Sequence, residues 1–185
     1  MKAMIYEFFA DGFEELEAIA PLDLLRRAGI AVQSVGVGGR TVTGRGGIAV
    51  TCDITVDEID MASIGGVILP GGPGYTKLGE SAAVMACVGA AAQRGKLLAA
   101  ICAAPSILGR GGYLKGRRAC CYPGYEKDLL GAEIVFTPAV RDGSVITSRG
   151  AGTSMIFALM LVAHLTSPAK AAEIASQIQC PTMPT

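Results

Sequence analysis

A cysteine at the end of an apolar segment is the residue of this sequence best placed to do chemistry. The segment Leu97–Ile101 predicts a buried strand, and Cys102 follows it directly, with Ala103 and Ala104 leaving room around the thiol. Pro105 suits the first turn of a helix, so the pattern is typical of a nucleophile elbow, where a sharp turn exposes the reactive atom. The positive end of that helix would favour the thiolate and lower the thiol pKa. The alternative is a buried cysteine that only packs at the end of a strand.

A glycine-rich loop leaves a second apolar segment. Gly66–Leu69 predicts a buried strand, and Pro70, Gly71, Gly72, Pro73 and Gly74 follow it. Glycines allow backbone N–H groups to face a ligand, as an oxyanion hole requires. A tight turn without any binding role is the alternative explanation of the same residues.

An unexplained acid lies in the first predicted helix. The residues at helical spacing on one face of this helix are apolar except for one acid. They are Phe13, Leu16, Glu17, Ala20 and Leu24. Pro21 lacks an N–H group, so the Glu17 carbonyl loses its usual helical donor and the helix should bend there. Either Glu17 reaches solvent at the edge of the stripe, or it is a buried acid with a function.

The chain has one histidine, His164, inside an apolar helical segment, where a packing or surface role is expected. A cysteine protease or glutamine amidotransferase needs a histidine base beside its cysteine. We therefore expect neither activity. If the cysteine works with an acid or base, Glu17 is the best candidate.

Apolar segments of strand length alternate with helical patterns, which predicts βαβ units and a parallel sheet. Strands are expected at Ala3–Phe8, Ala31–Val37, Gly66–Leu69, Leu97–Ile101, Ile134–Phe136 and Val145–Thr147. Helices are expected at Glu14–Ala28, Ser81–Arg94, Ala104–Arg110, Ala151–Leu165 and Pro168–Gln179. Thr41–Thr51 should be a hairpin added to the sheet. No linker or repeat divides the sequence, so one α/β domain over residues 1–185 is expected.

Composition narrows the classes of partner. The chain carries 16 basic and 16 acidic residues and no basic run, which argues against nucleic acid and anionic membranes as partners. Neither a signal peptide nor a membrane-spanning segment is indicated, so we expect a cytoplasmic protein with reduced cysteines. The glycine patterns fit neither a P-loop nor a dinucleotide fingerprint, and the six cysteines lack the spacing of a zinc site. No cofactor or metal is expected.

Four motifs together resemble the ThiJ/PfpI superfamily, and within it the branch of the parkinsonism-associated protein deglycase. In chain order they are Asp11–Glu17, Leu69–Gly72, Ala100–Pro105 and Thr147–Thr153. The resemblance covers nearly the whole chain. It implies a flavodoxin-like three-layer sandwich with a mostly parallel central sheet, a nucleophile-elbow cysteine and a homodimer.

The resemblance also assigns roles to residues. It implies that protonated Glu17 hydrogen-bonds Cys102 and that backbone N–H groups at Gly72 and Ala103 form an oxyanion site. Candidate substrate-binding residues on the same basis are Gly71, Tyr122, Arg27 and Arg45, with the two arginines near the pocket across the dimer. Cys52 matches an interface cysteine of the family.

Two positions depart from family patterns. Protease-like members carry histidine directly after the elbow cysteine, whereas this chain has Ala103, which argues against peptidase activity. Many members of the deglycase branch have a histidine where this chain has Tyr122, and a tyrosine with a pKa of about 10 is a poor base near neutral pH.

Two functions follow from this reading. The first is an enzyme that converts reactive dicarbonyls or early glycation adducts, small carbonyl substrates, into hydroxy acids. The second is a non-enzymatic oxidative-stress sensor or holdase switched by oxidation of Cys102.

Overall fold

In the computed structural model, which describes residues 3–180, strands and helices form three layers around a central sheet. The strands are Met4–Ala10 (β1), Val32–Val37 (β2), Thr41–Thr43 (β3), Ala49–Thr51 (β4), Ile54–Thr55 (β5), Ile64–Leu69 (β6), Leu97–Ile101 (β7), Arg118–Ala119 (β8), Glu133–Ile134 (β9), Ala139–Asp142 (β10) and Val145–Ser148 (β11). The α-helices are Glu15–Arg27 (α1), Tyr75–Glu80 (α2), Ala82–Gln93 (α3), Pro105–Arg110 (α4), Ser154–Leu165 (α5) and Pro168–Gln177 (α6). Short 3₁₀ turns lie at Val56–Glu58, Glu126–Asp128 and Ala151–Thr153.

The main sheet has the strand order β10-β11-β7-β6-β1-β2-β5. All its neighbours pair in parallel except β10 and β11, which pair antiparallel. The carboxyl ends of β6, β7 and β11 therefore meet at one edge of the sheet, where open α/β sheets bind ligands. This confirms the expected flavodoxin-like α/β class.

Apolar residues cover both faces of the sheet. One face packs against α2, α3 and α4 through a core that includes Leu69, Val88 and Leu108. The other packs against α1, α5 and α6 and includes Phe9 and Phe157. Fully burying each such side chain contributes roughly 1.5–3 kcal/mol, so the two cores hold the strand ends in fixed positions.

The sequence predicted most elements within a few residues. The predicted strand Ile134–Phe136 is shorter in the structure, ending at Ile134, and the Phe136 side chain is exposed. The sequence does not predict helix α2, because Pro73 and Gly74 directly before it favour a loop. Among the described residues, no helix is both long and apolar enough to cross a membrane.

Candidate active site

Cys102 occupies the turn between β7 and α4 in a strained backbone conformation. Its φ is +65°, in the left-handed region that non-glycine residues rarely adopt. The Cys102 N–H donates to the Ser148 carbonyl at 3.0 Å, and its carbonyl accepts from the Tyr122 N–H at 2.8 Å. Its two backbone groups are thus bonded to the last residue of β11 and to the segment after β8, which keeps Cys102 in this conformation. Such strain costs about 1–3 kcal/mol and is typical of functional positions.

Glu17 lies beneath this turn, in the first turn of α1. Its side chain is 1 % exposed, so Glu17 is a buried acid and does not reach solvent at the edge of the stripe. The Gly71 N–H donates to Glu17 Oε2 at 2.9 Å, and the carboxyl also hydrogen-bonds Cys102. The N-cap of the helix is Glu14, whose side chain accepts from the Glu17 N–H at 2.9 Å.

The glycine loop after β6 contacts both partners. A Cβ built on Gly71 would lie 2.6 Å from Cys102 Cβ and 2.6 Å from Glu17 Oε2, so only glycine fits there without displacement. Gly72 has a φ of +78°, and a Cβ on it would lie 2.5 Å from the Glu14 nitrogen. The N–H groups of Gly72 and Ala103 both hydrogen-bond the cysteine sulfur. The loop supplies the first of these donors and the turn after β7 the second, and their role as an oxyanion site stays a prediction.

Burial and charge set the protonation of the pair. Burial raises the pKa of Glu17 to about 7, while its hydrogen bonds with Cys102 and Gly71 lower it. Burial, and next the adjoining Glu17 carboxylate, raise the pKa of Cys102 to about 12, while the N–H groups of Gly72 and Ala103 lower it. The expectation of a lowered thiol pKa is thus wrong, chiefly because burial disfavours the thiolate.

The two groups share one proton above neutral pH. Because two adjacent negative charges repel, the pair carries a single charge over a wide pH range. Within that charge state the proton lies either on sulfur or on the Glu17 carboxyl. Only the second arrangement gives a thiolate, and in it the neutral carboxyl donates to sulfur.

A cleft of about 1080 Å³ opens above the pair. It brings together most of the candidate site residues, namely Glu17, Arg45, Gly72, Cys102, Ala103 and Tyr122. Gly71 lies directly behind Cys102 and Glu17. Arg27 does not line the cleft of its own chain and instead pairs with Asp23 at 2.9 Å, so its expected role stays a prediction about a dimer. Cys52 is buried outside the cleft.

Further cleft residues were missed by the sequence analysis. They include Glu14, Tyr75, Tyr125, Phe136 and Arg149. Arg149 had a usable signal, since it follows the apolar strand β11 at the same carboxyl edge as Cys102. Phe136 had no such signal, because the sequence predicts a strand over its segment.

Neither histidine nor metal chemistry is indicated in the cleft. His164 lies on α5 and does not line the cleft. Within residues 3–180, no group of three or more histidine, cysteine, aspartate or glutamate side chains is placed to hold a metal ion.

Known proteins are similar to this chain in both sequence and fold. A deglycase of Pyrococcus horikoshii is 35% identical over 144 residues, covering 76% of this chain and 86% of that protein. A glutathione-independent glyoxalase of Caenorhabditis elegans is 32% identical over 158 residues, covering 85% of each chain. The crystal structure of a DJ-1 superfamily protein from Salmonella typhimurium has 38% identity and a TM-score of 0.91, covering 98% of this chain and 100% of that one. Residues 1–164 match the DJ-1/PfpI family. With its elbow cysteine and this fold, the chain belongs to the DJ-1/PfpI family.

Proposed function

We propose that the chain is a cofactor-independent, cysteine-dependent enzyme that converts reactive dicarbonyls or early glycation adducts into hydroxy acids. The observation that carries the proposal is the contact of Cys102 with a buried acid and two backbone donors at the floor of an open cleft. The deglycase and glyoxalase names of two relatives support the same class.

The first step is addition to the aldehyde carbon. The Cys102 thiolate, formed when its proton lies on Glu17, attacks the aldehyde of methylglyoxal. The resulting alkoxide takes up a proton and becomes a hemithioacetal. The N–H groups of Gly72 and Ala103 stabilise the developing negative charge, as donors in oxyanion holes do.

The second step moves a proton between neighbouring carbons. Glu17, now ionised, removes the hydrogen from the carbon bonded to sulfur, and an enediolate forms. It then returns a proton to the adjacent carbon, giving a thioester of lactate. Because the pKa of Glu17 is about 7, both of its protonation states are accessible near neutral pH. Water then hydrolyses the thioester, which releases lactate and restores the thiol.

Lactate formation tests this proposal directly. Purified protein is incubated with methylglyoxal without added thiol or metal and after treatment with a chelator, and both lactate enantiomers are measured. We expect catalytic turnover with an excess of one enantiomer, loss of turnover in Cys102→Ser, and a decrease of about 100-fold or more in Glu17→Gln.

Two features make the assay decisive. Cys180→Ser is the matched control, because it removes a thiol that does not line the cleft, and it should retain full turnover. Disappearance of methylglyoxal without lactate would be reversible scavenging by thiols and would contradict the proposal. Racemic lactate in equal amounts from wild type and Cys102→Ser would contradict it too.

A second function, redox sensing, is favoured by the same three donors. Peroxide oxidises the thiolate to a sulfenic acid and then to a sulfinate, and the Gly72 and Ala103 N–H groups with neutral Glu17 would bind the sulfinate oxygens. This function is favoured if substoichiometric peroxide gives sulfinate at Cys102 in a protein that forms no lactate.

A further inference from the structure

One edge of the cleft joins an arginine without a carboxylate partner to two exposed aromatic rings. We call Tyr122, Phe136 and Arg149 the cleft rim. Phe136 is 70 % exposed and Tyr122 is 50 % exposed. The Arg149 guanidinium carbon lies over the Phe136 ring, 5.8 Å from its centroid. Arg149 forms no ion pair with any carboxylate in the described part of the chain.

Two hydrogen bonds hold the Arg149 and Phe136 segments of the rim together. The Arg149 N–H donates to the Pro138 carbonyl at 3.2 Å, and the Ser148 hydroxyl donates to the same oxygen at 2.8 Å. These bonds connect the loop that carries Phe136 to the end of β11. The rim is therefore built into the sheet edge, which limits the ordering needed when a ligand binds.

The rim also adjoins the reacting atoms. Gly150 follows Arg149, and a Cβ on Gly150 would lie 3.3 Å from Tyr122 Cδ2 and 3.9 Å from Glu17 Oε1. A molecule whose carbonyl carbon reaches Cys102 would thus have its neighbouring atoms beside Tyr122 and Arg149. The other arginine of the cleft, Arg45, lies near Glu17, whose pKa it lowers.

We infer that the preferred ligands of this site are carbonyl compounds in which a planar group and a negative charge flank the carbonyl. Arg149 would bind the anionic group, and Phe136 and Tyr122 would contact the flat part. The inference rests on the proposed function, because it assumes that a carbonyl lies at Cys102. Arginine suits this task, since its planar guanidinium binds a carboxylate through two parallel hydrogen bonds while it stacks on a ring.

Three small probes separate charge from shape. Phenylglyoxylate carries both features, phenylglyoxylamide lacks the charge, and cyclohexylglyoxylate lacks the flat ring. Binding is measured by calorimetry and by protection of Cys102 from iodoacetamide. We expect phenylglyoxylate to bind about tenfold more tightly than either of the other two.

Variants of the rim assign each preference to a residue. Arg149→Gln should remove the preference for phenylglyoxylate over its amide, and Phe136→Leu should remove the preference over the cyclohexyl compound. Both variants should keep the wild-type thermal midpoint, which shows that they are folded. Equal affinity of the three probes, or unchanged preferences in the variants, would overturn the inference. A change of molecular mass in Phe136→Leu with unchanged affinity would also overturn it, because the rim would then be a contact between copies of this chain.

The two proposals can fail separately. Stereoselective lactate formation without any preference among the probes supports the proposed enzyme and refutes the proposed role of the cleft rim. Selective binding of phenylglyoxylate without turnover of methylglyoxal refutes the enzyme and supports the rim as a binding site.

Discussion

Gly71 lies so close to Cys102 that a single methyl group on its Cα would come within 2.6 Å of Cys102 Cβ and 3.1 Å of the sulfur. The same methyl group would lie 2.6 Å from Glu17 Oε2. The loop after β6 therefore determines how closely the thiol and the acid approach each other. Within this loop, the N–H group of Gly71 and its lack of a side chain both contribute to that geometry.

Substitution of this glycine should disrupt the pair. In Gly71→Ala the added methyl group displaces the cysteine or the glutamate, so we expect at least about a tenfold loss of turnover. Gly39→Ala is the matched control, since the nearest atom to its added Cβ is 3.8 Å away. Methylglyoxal turnover and circular dichroism of both variants check this. Wild-type activity in Gly71→Ala would show that the close approach has no functional value.

The pH dependence of alkylation should report the shared proton. The rate of iodoacetamide labelling at Cys102 should rise with pH through about 7 and then level off, because loss of the first proton creates the singly charged pair. Glu17→Gln cannot accept the thiol proton, so its rise should move upward by at least about one pH unit. Rates measured by peptide mass spectrometry test this. An unchanged midpoint in Glu17→Gln would mean that the two residues do not exchange a proton.

Selective labelling follows from burial. Cys52, Cys87, Cys120 and Cys121 are buried, whereas Cys102 is partly exposed in the cleft. Burial raises the pKa of each of these four thiols, as it does for Cys102, so the difference in exposure is what favours labelling of Cys102. With limiting iodoacetamide at neutral pH we expect Cys102 to be labelled first. Earlier labelling of the partly exposed Cys180 would show that the shared proton remains mainly on the sulfur.

The sequence predicted the two principal site residues for local reasons. Cys102 stood at the junction of an apolar strand and a proline-initiated helix, and Glu17 was the one acid in an apolar stripe. The raised pKa of the thiol could not be predicted, because it sums burial and charge contributed by segments far apart in the chain. Asp11 and Glu14 also have the spacing of a capping box, but the N-cap of α1 is Glu14, and Asp11 Oδ1 accepts from the Thr43 N–H at 2.8 Å. A hairpin contact over that sequence distance leaves no local signal.

A second buried acid, Glu7, should make the protein less stable as pH rises. Its side chain is 0 % exposed on β1, and neither carboxyl oxygen has a hydrogen-bond partner in the described residues. Burial raises the pKa of Glu7 well above its usual value, although the charge of Arg26 lowers it in part. The unfolded chain loses this proton above pH about 4.3 while the folded chain keeps it, so stability falls with rising pH over that range.

Removing the unpaired carboxyl should stabilise the fold. We expect Glu7→Leu to raise the free energy of unfolding at pH 8 by about 1–3 kcal/mol. Glu7→Gln keeps an unpaired polar group but cannot ionise, so it should reduce only the pH dependence. Urea denaturation near pH 5 and pH 8 separates the two effects. A less stable Glu7→Leu variant at pH 8 would contradict this account.

An apolar surface on α1 and the β3–β4 hairpin predicts association of two copies. Leu16 and Ile19 on α1 and Ile48 in the hairpin are exposed, although the helical stripe predicted that Leu16 would be buried. Glu15 Oε1 accepts from the Gly46 N–H at 2.6 Å, which ties the hairpin to the helix. The two elements are thus in contact, and covering their exposed apolar side chains would remove apolar area from water.

Light scattering of matched variants tests the dimer. We expect wild type at micromolar concentration to have twice the mass of one chain, and Ile48→Glu to shift it toward the monomer, because a charge at a buried interface is costly without a partner. Leu130→Glu is the control, since Leu130 is 54 % exposed, close to the 60 % of Ile48, and lies outside the hairpin and α1. It should leave the dimer mass unchanged. If Ile48→Glu also lowers turnover while Leu130→Glu does not, the partner contributes to the cleft, as the resemblance implies for Arg27 and Arg45. A monomer mass for the wild type would refute both the dimer and that role of Arg27.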